Sequence, residues 1–362
     1  MIGETFVIDA TVHSYNLDPS NVVQNGHGQL LADALLDVFL RRSAEESLLP
    51  QELYELDWTA EAETEVLFLE SQTDIGGHHV LCLNSWFKDG LVSLEKNLEM
   101  ARRWPDRFVF YVGVDPTKGE ACLDDLRRQK ELLPSALGLK MYHDQVEPYR
   151  TFRADDRDIA YPLFELAGEL GIKAVAMHKA LPIVGLPSQP YKIDDMCNAA
   201  LDFPDLNFEL IHAGLAYLDE TAHAIARSSN VYVNLEITST YACSVPGLFD
   251  DIMSNLLFWG GPEKIIYSSG AMEFHPQPIL DAMMAYQPSP EVERKFGSLE
   301  ISTADRQNIM GGNFARMMGL DMEEMKARIA GDEFAKRLEA QGGIAKPFSY
   351  WRERHGATVP AS

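Results

Sequence analysis

Eight short β-rich runs recur along this chain, and each is separated from the next by enough residues for a crossover. They fall at residues 5–9, 79–84, 108–114, 137–142, 172–178, 207–212, 230–236 and 264–269. Several intervals between them have helical period. Residues 91–102 put leucines and a methionine on one face, and residues 158–170 do the same with Ile159, Leu163, Leu166 and Leu170. Residues 221–227 and 246–258 follow suit. Strands alternating with helices pair in parallel, because parallel neighbours need a crossover connection. Eight parallel strands are the number that closes a barrel. The expected fold is therefore α/β, a (β/α)8 barrel of the TIM type. An open doubly wound sheet is the rival, and its dinucleotide-binding form is weakened because no GxGxxG follows the first strand.

A chain of 362 residues has room for such a barrel with additions. The first interval is long, running from residue 10 to 78 with a helix near residues 30–42. Insertions of that size usually serve as a lid or a subunit contact. After the eighth run come two or three helices and an irregular tail, residues 342–362, made apolar by Phe348, Tyr350 and Trp351. We expect one domain over residues 1–341, including an insertion at 14–78. The tail is expected to dock on the barrel or on a partner chain.

Apolar residues make up 46% of the chain, enough for a large core, yet no run reaches membrane-spanning length. The N-terminal stretch has no basic patch and reads as a first strand, not a signal peptide. Cys82, Cys122, Cys197 and Cys243 stand far apart with no CxxC, as expected of free thiols in the cytoplasm. A net charge of −24 opposes binding to nucleic acid phosphates and otherwise suits a solvated surface.

In a parallel barrel the chemistry sits at the carboxyl ends of the strands. Two apolar runs close on histidine, at His178 and His212, and His13 follows the first run. Any one of them alone reads as an ordinary hydrogen-bonded residue. Three at matching strand ends can share one transition metal. Zinc is the first expectation, with iron or manganese as alternatives. Lys140 ends the run Leu137-Gly-Leu-Lys, where burial is costly without a partner. It can pair with Asp144, balance a substrate carboxylate, or carry a metal-bridging carbamate. Glu236 is a ligand, a general base or a partner to Lys140. These two are the candidate catalytic residues. His143 and His275 lie in loops near the mouth. His78 and His79 open the second run, so they are expected at the far end of the barrel in a structural role.

The Ile-Asp-x-x-x-His13 start, the strand ends at His178 and His212, the run Lys264-Ile-Ile-Tyr-Ser-Ser269 and the segment Asn308-Ile-Met-Gly-Gly-Asn-Phe-Ala-Arg-Met-Met-Gly-Leu320 together resemble the amidohydrolase superfamily. The branch they resemble most includes decarboxylases of the aminocarboxymuconate semialdehyde type. The resemblance spans nearly the whole chain and implies the TIM barrel. It also implies an Asp-x-His-x-His start and a metal-binding aspartate at the end of the eighth strand. Here Thr11 stands in place of the first histidine and Gly270 in place of the aspartate.

Three functions follow from that mixture. The first is a subunit with a reduced metal site, partnered by a paralogous amidohydrolase-fold chain whose dinuclear site is intact. This resembles the smaller hydroxylase subunit of monooxygenases of the 2-aminoisobutyric acid type, which hydroxylate a small amino acid. The second is a mononuclear hydrolase or decarboxylase acting on a small carboxylate, with Glu236 or Glu273 replacing the missing acid. The third is a barrel that binds a small ligand without catalysis.

Overall fold

A computed structural model describes residues 1–357 of the chain; residues 358–362 of the expected tail lie outside the described residues. Eight strands pair in parallel, each with the next in sequence. They are β1 Ile8–Val12, β2 Ile75–His79, β3 Phe108–Gly113 and β4 Gly138–Met141. Then come β5 Ala174–His178, β6 Asn207–Ile211, β7 Val231–Asn234 and the short β8 Ile265–Ile266. The ring is drawn together between β8 and β1. The amide of Ala10 donates to the carbonyl of Tyr267, and the amide of Gly270 donates to the carbonyl of Thr11. Ser269 adds its amide and hydroxyl to the Asp9 carboxylate. The fold is the expected TIM barrel.

Helices cover the outside. The apolar core lies between them and the outward faces of the strands, with Leu126, Leu139, Phe164, Val175, Phe208 and Leu256 fully or almost fully buried. The inside of the barrel is more polar than its strands suggest. The Tyr111 hydroxyl donates to Glu209, and Asn234 donates to Glu209 at 3.0 Å and to the Thr11 hydroxyl at 2.9 Å. This chain of partners satisfies groups that would otherwise be costly to bury.

The second strand differs from expectation by several residues. The apolar run 79–84 is not the strand; Ile-Gly-Gly-His-His before it is. Glycine hides this strand from a search for β-branched residues, but the contact requires it: a Cβ on Gly77 would lie 2.2 Å from the Ala10 carbonyl oxygen. Leu81 and Leu83 instead pack with the insertion. His78 and His79 therefore lie at the carboxyl end of β2, not at the far end of the barrel. His78 turns outward to the Ser14 hydroxyl at 2.9 Å and to Glu63 at 3.1 Å. His79 turns inward, stacked on Tyr111 at 3.8 Å.

The insertion after β1 carries helix α1, His27–Arg42, and helix α2, Ala60–Phe68. Thr59 caps α2 by accepting from the Ala62 amide at 3.1 Å. A second apolar cluster joins the insertion to the barrel mouth through Tyr15, Phe39, Tyr54, Trp58 and Trp86. Phe348 and Trp351 from the C-terminal segment are buried in the same cluster. Gly28 lets α1 approach, because a Cβ there would lie 2.7 Å from the Trp86 carbonyl oxygen. Among the described residues no helix is long and apolar enough to cross a membrane.

Candidate active site at the carboxyl end of the barrel

Glu236 stands at the centre of the strand ends. It follows β7 by two residues, and its amide donates to the Asn234 side chain at 3.0 Å. Its Oε1 lies 2.6 Å from Nε2 of His13, just past β1. Its Oε2 lies 3.8 Å from Nδ1 of His212, just past β6. His212 has φ +63°, a left-handed conformation that non-glycine residues adopt at a cost of roughly 1–3 kcal/mol. That bend turns its ring toward its neighbours: Nε2 is 3.0 Å from Nδ1 of His178, and Nδ1 is 3.2 Å from the Glu236 carbonyl oxygen. Nε2 of His178 is 2.9 Å from the Leu181 carbonyl oxygen.

Protons can be counted along this line. The Leu181 and Glu236 carbonyls accept only, so each calls for an N–H, and the inter-ring contact needs a third. Two neutral imidazoles carry two protons. Burial pushes the His178 pKa far down and takes that of His212 to about 4. At neutral pH the pair is therefore neutral and one proton short of completing its own line. Burial opposes adding the missing one.

Burial would raise the Glu236 carboxyl, but His212, His13 and Lys140 together hold it well below the usual carboxylate range. His13 is pushed down by burial against the pull of Glu236, so its neutral ring donates Nε2–H to the carboxylate. The remaining basic group is Lys140 of β4, 5.3 Å from the Tyr142 ring centre; burial pushes its ammonium down while Glu236 and Glu209 pull it up. Asp144, one expected partner of Lys140, instead accepts from the Tyr149 hydroxyl at 2.8 Å.

A divalent transition metal needs three or more donors aimed at one point. Among the described residues no three His, Cys, Asp or Glu side chains are so arranged. His13, His178 and His212 were expected to share a metal. In the structure His13 is spent on Glu236, while His178 and His212 bond to each other. Nδ1 of His13 and Oε2 of Glu236 have no hydrogen-bond partner among the described residues, but no third donor joins them. Thr11 is tied to Asn234, and Gly270 offers no side chain. The donor set present does not fit the metal.

Next to this centre is a cavity of about 180 Å³. Its polar lining is His178, His212 and Glu236, with Tyr15 and Tyr142. The rest is apolar. Leu31, Ala34, Leu35 and Val38 of α1 form one wall, and Leu181, Pro182, Ile183 and Val184 after β5 form another. The insertion thus contributes one face of the pocket.

The other candidates lie elsewhere. Glu273 is buried against the Tyr15 hydroxyl at 3.4 Å, on the insertion side, and burial pushes its carboxyl well up. His143 contacts the Phe152 carbonyl at 3.2 Å, and His275 contacts Glu70 at 3.3 Å. Lys179, overlooked beside His178, is fully buried and paired with Asp195 at 2.7 Å, which pins the loop after β5. Glu209 and Asn234 were also overlooked. The one signal for them is an acid and an amide inside otherwise apolar runs.

The sequence pattern of the amidohydrolase family matches residues 83–320, well over half of the chain. The chain belongs to the amidohydrolase family. No curated protein matches it. Among solved structures, an uncharacterised TIM-barrel protein of Bordetella bronchiseptica gives a TM-score of 0.56 at 16% identity, over 85% of this chain and 98% of its own. The 5-carboxyvanillate decarboxylase of Sphingomonas paucimobilis gives 0.53 at 15% identity, over 88% and 99%. That of Novosphingobium aromaticivorans, solved with manganese and 4-hydroxy-3-methoxy-5-nitrobenzoic acid, gives 0.53 at 11% identity, over 88% and 97%. At such identities the likeness is one of fold.

Proposed function

We propose that this amidohydrolase-family chain is a cytoplasmic enzyme that binds a small, largely apolar carboxylic acid beneath α1 and acts on it as a decarboxylase. The observation that carries the reading is the pocket, apolar on most sides and ending on a buried, neutral histidine pair beside Glu236. A carboxylate enclosed there is poorly solvated and repelled by Glu236. Loss of CO2 leaves the charge on carbon, and its protonation there completes a step that relieves both penalties. The reaction balances as R–COO⁻ plus H⁺ giving R–H plus CO2, with the proton drawn from solvent and His178 and His212 lining the pocket where it arrives. Decarboxylases with manganese among the fold relatives support the substrate class. Zinc, iron and manganese, the ions expected from the family, have no donor set here, so no step is assigned to them. The test is CO2 release by the purified chain across a panel of small aromatic and aliphatic acids. Turnover abolished by His178→Ala and by His212→Ala is expected; an acid that binds but is never turned over counts against it.

A second reading has its own support in Thr11 and Gly270. The chain is then the reduced subunit of a heteromeric enzyme, in the manner of the 2-aminoisobutyric acid monooxygenase, and the paralogous partner does the chemistry. Purification from the native host with a stoichiometric paralogue would favour it; a homo-oligomer alone would end it.

A further inference from the structure

We propose that the Glu236 carboxylate stands where a cation would sit in this fold, and that the carboxyl end of the barrel is a built-in anion site that takes no divalent metal. The inference does not depend on the decarboxylase reading.

Three positions mark the place. His13 and His212 follow β1 and β6, and residue 270 follows β8, so their side chains are directed to one region inside the strand ends. The Glu236 side chain fills that region. Its Oε1 is 2.6 Å from His13 and its Oε2 is 3.8 Å from His212. A Cβ on Gly270 would lie 3.4 Å from the Glu236 Cγ. That is ordinary contact, so an acid at position 270 would set a second carboxylate beside the first, and the φ of +77° there favours glycine. Glycine there and glutamate at 236 are two sides of one arrangement.

The contacts already made point the same way. Glu236 is buried and its Oε1 is engaged by His13 at 2.6 Å. The other buried carboxyl groups nearby are already engaged: Glu209 by Tyr111 and Asn234, Asp9 by Ser269, and Glu273 by the Tyr15 hydroxyl. A metal taking His13 through Nε2 would have to displace a proton from a short charge-assisted hydrogen bond, which leaves only Nδ1 of that ring open. The remaining imidazoles give their nitrogens to each other and to two carbonyls. Beside the open His13 Nδ1 and Glu236 Oε2, a third ligand would have to come from breaking the histidine line.

The experiment is metal binding by the full-length wild-type chain. Elemental analysis after expression in metal-supplemented medium should find well under one manganese, iron or zinc per chain. Titration with MnCl2 should leave the EPR signal of the hydrated ion undiminished. The Nε2–H proton of His13 should give a downfield NMR resonance that persists in excess ZnCl2. A stoichiometric metal retained by His223→Ala, an exposed surface histidine, but lost in His13→Ala overturns the proposal. Loss of the His13 resonance on zinc addition overturns it too, and needs no variant that must fold. A metal lost in His223→Ala and retained in His13→Ala lies on the surface and supports the proposal.

Discussion

Nε2 of His13 and Oε1 of Glu236 lie 2.6 Å apart across 223 residues of sequence, joining the end of the first strand to the end of the seventh. Breaking a buried charged contact by removing one partner costs about 3–5 kcal/mol, because the other is left uncompensated. Glu236→Ala should cost that much, since it strands Lys140 as well as His13. Adding Lys140→Met should recover part of the loss, with a coupling of about 1–3 kcal/mol in a double-mutant cycle. Urea denaturation of the four proteins measures it. Strictly additive losses would mean that Lys140 and Glu236 do not sense each other.

Stability should respond to pH through two groups of opposite sign. His212 is lowered from 6.5 to about 4 in the fold, so the unfolded chain binds more protons between those values. Its contribution is complete above pH 6.5 and is lost as pH falls through 4, by about 3 kcal/mol. Asp9 is raised from 3.8 to about 7, by burial against the opposing pull of its bonds to Ser269. Its contribution is complete below pH 3.8 and is lost as pH rises through 7. Denaturation from pH 4 to 8 should therefore show wild type losing ground to a His212→Asn variant on acidification. It should lose ground to Asp9→Asn on the way up. Parallel curves for either pair would refute that assignment.

The barrel was legible because its signal is repetitive: parallel strands buried on both faces leave apolar runs at regular intervals. Six of the eight runs overlap their strands closely, and the first, 5–9, shares only Ile8 and Asp9 with β1. The largest departure is β2, whose Gly76 and Gly77 carry no hydrophobic signal while the loop Val80–Leu83 does; packing against Trp58 and Trp86, not strand formation, explains that loop. The site was legible in its membership but not in its wiring. His13, His178, His212 and Glu236 do gather at one end, as strand-end position requires. That Glu236 would take His13, and that His212 would turn back on His178 through a left-handed residue, depends on side-chain geometry no spacing records. The insertion was visible as excess length with a helix near residues 30–42, which is α1, and its role as a pocket wall comes from the packing of that helix.

The wall formed by α1 gives a direct test of where ligands bind. Ala34 lines the cavity from the lid side and is only half-buried, so Ala34→Trp can fill about 180 Å³ of space without overpacking the core. Turnover or ligand affinity should fall about tenfold or more, a loss of at least about 1.4 kcal/mol. The melting temperature should move little, since the site is not in the closed interior. Unchanged affinity for a bound acid would place the ligand elsewhere.

Glu70 holds the C-terminal segment and, through it, the insertion. Its carboxylate accepts from the amides of Phe348 at 2.6 Å and Tyr350 at 2.9 Å and from the Ser349 hydroxyl at 3.0 Å. An anion at the start of helix Ser349–Arg354 also complements its exposed amides. Each buried N–H left without a partner costs about 1–3 kcal/mol, so Glu70→Ala should lose about 2–4 kcal/mol. Glu70→Gln keeps one acceptor oxygen and should lose less. Because Phe348 and Trp351 share a cluster with Trp58 and Phe39, release of the segment should also loosen α1. Limited trypsin digestion should then cut earlier at Arg352 and Arg354, and at Arg41 and Arg42 at the end of α1. Faster cleavage at the tail alone would show that the strap and the lid are held independently.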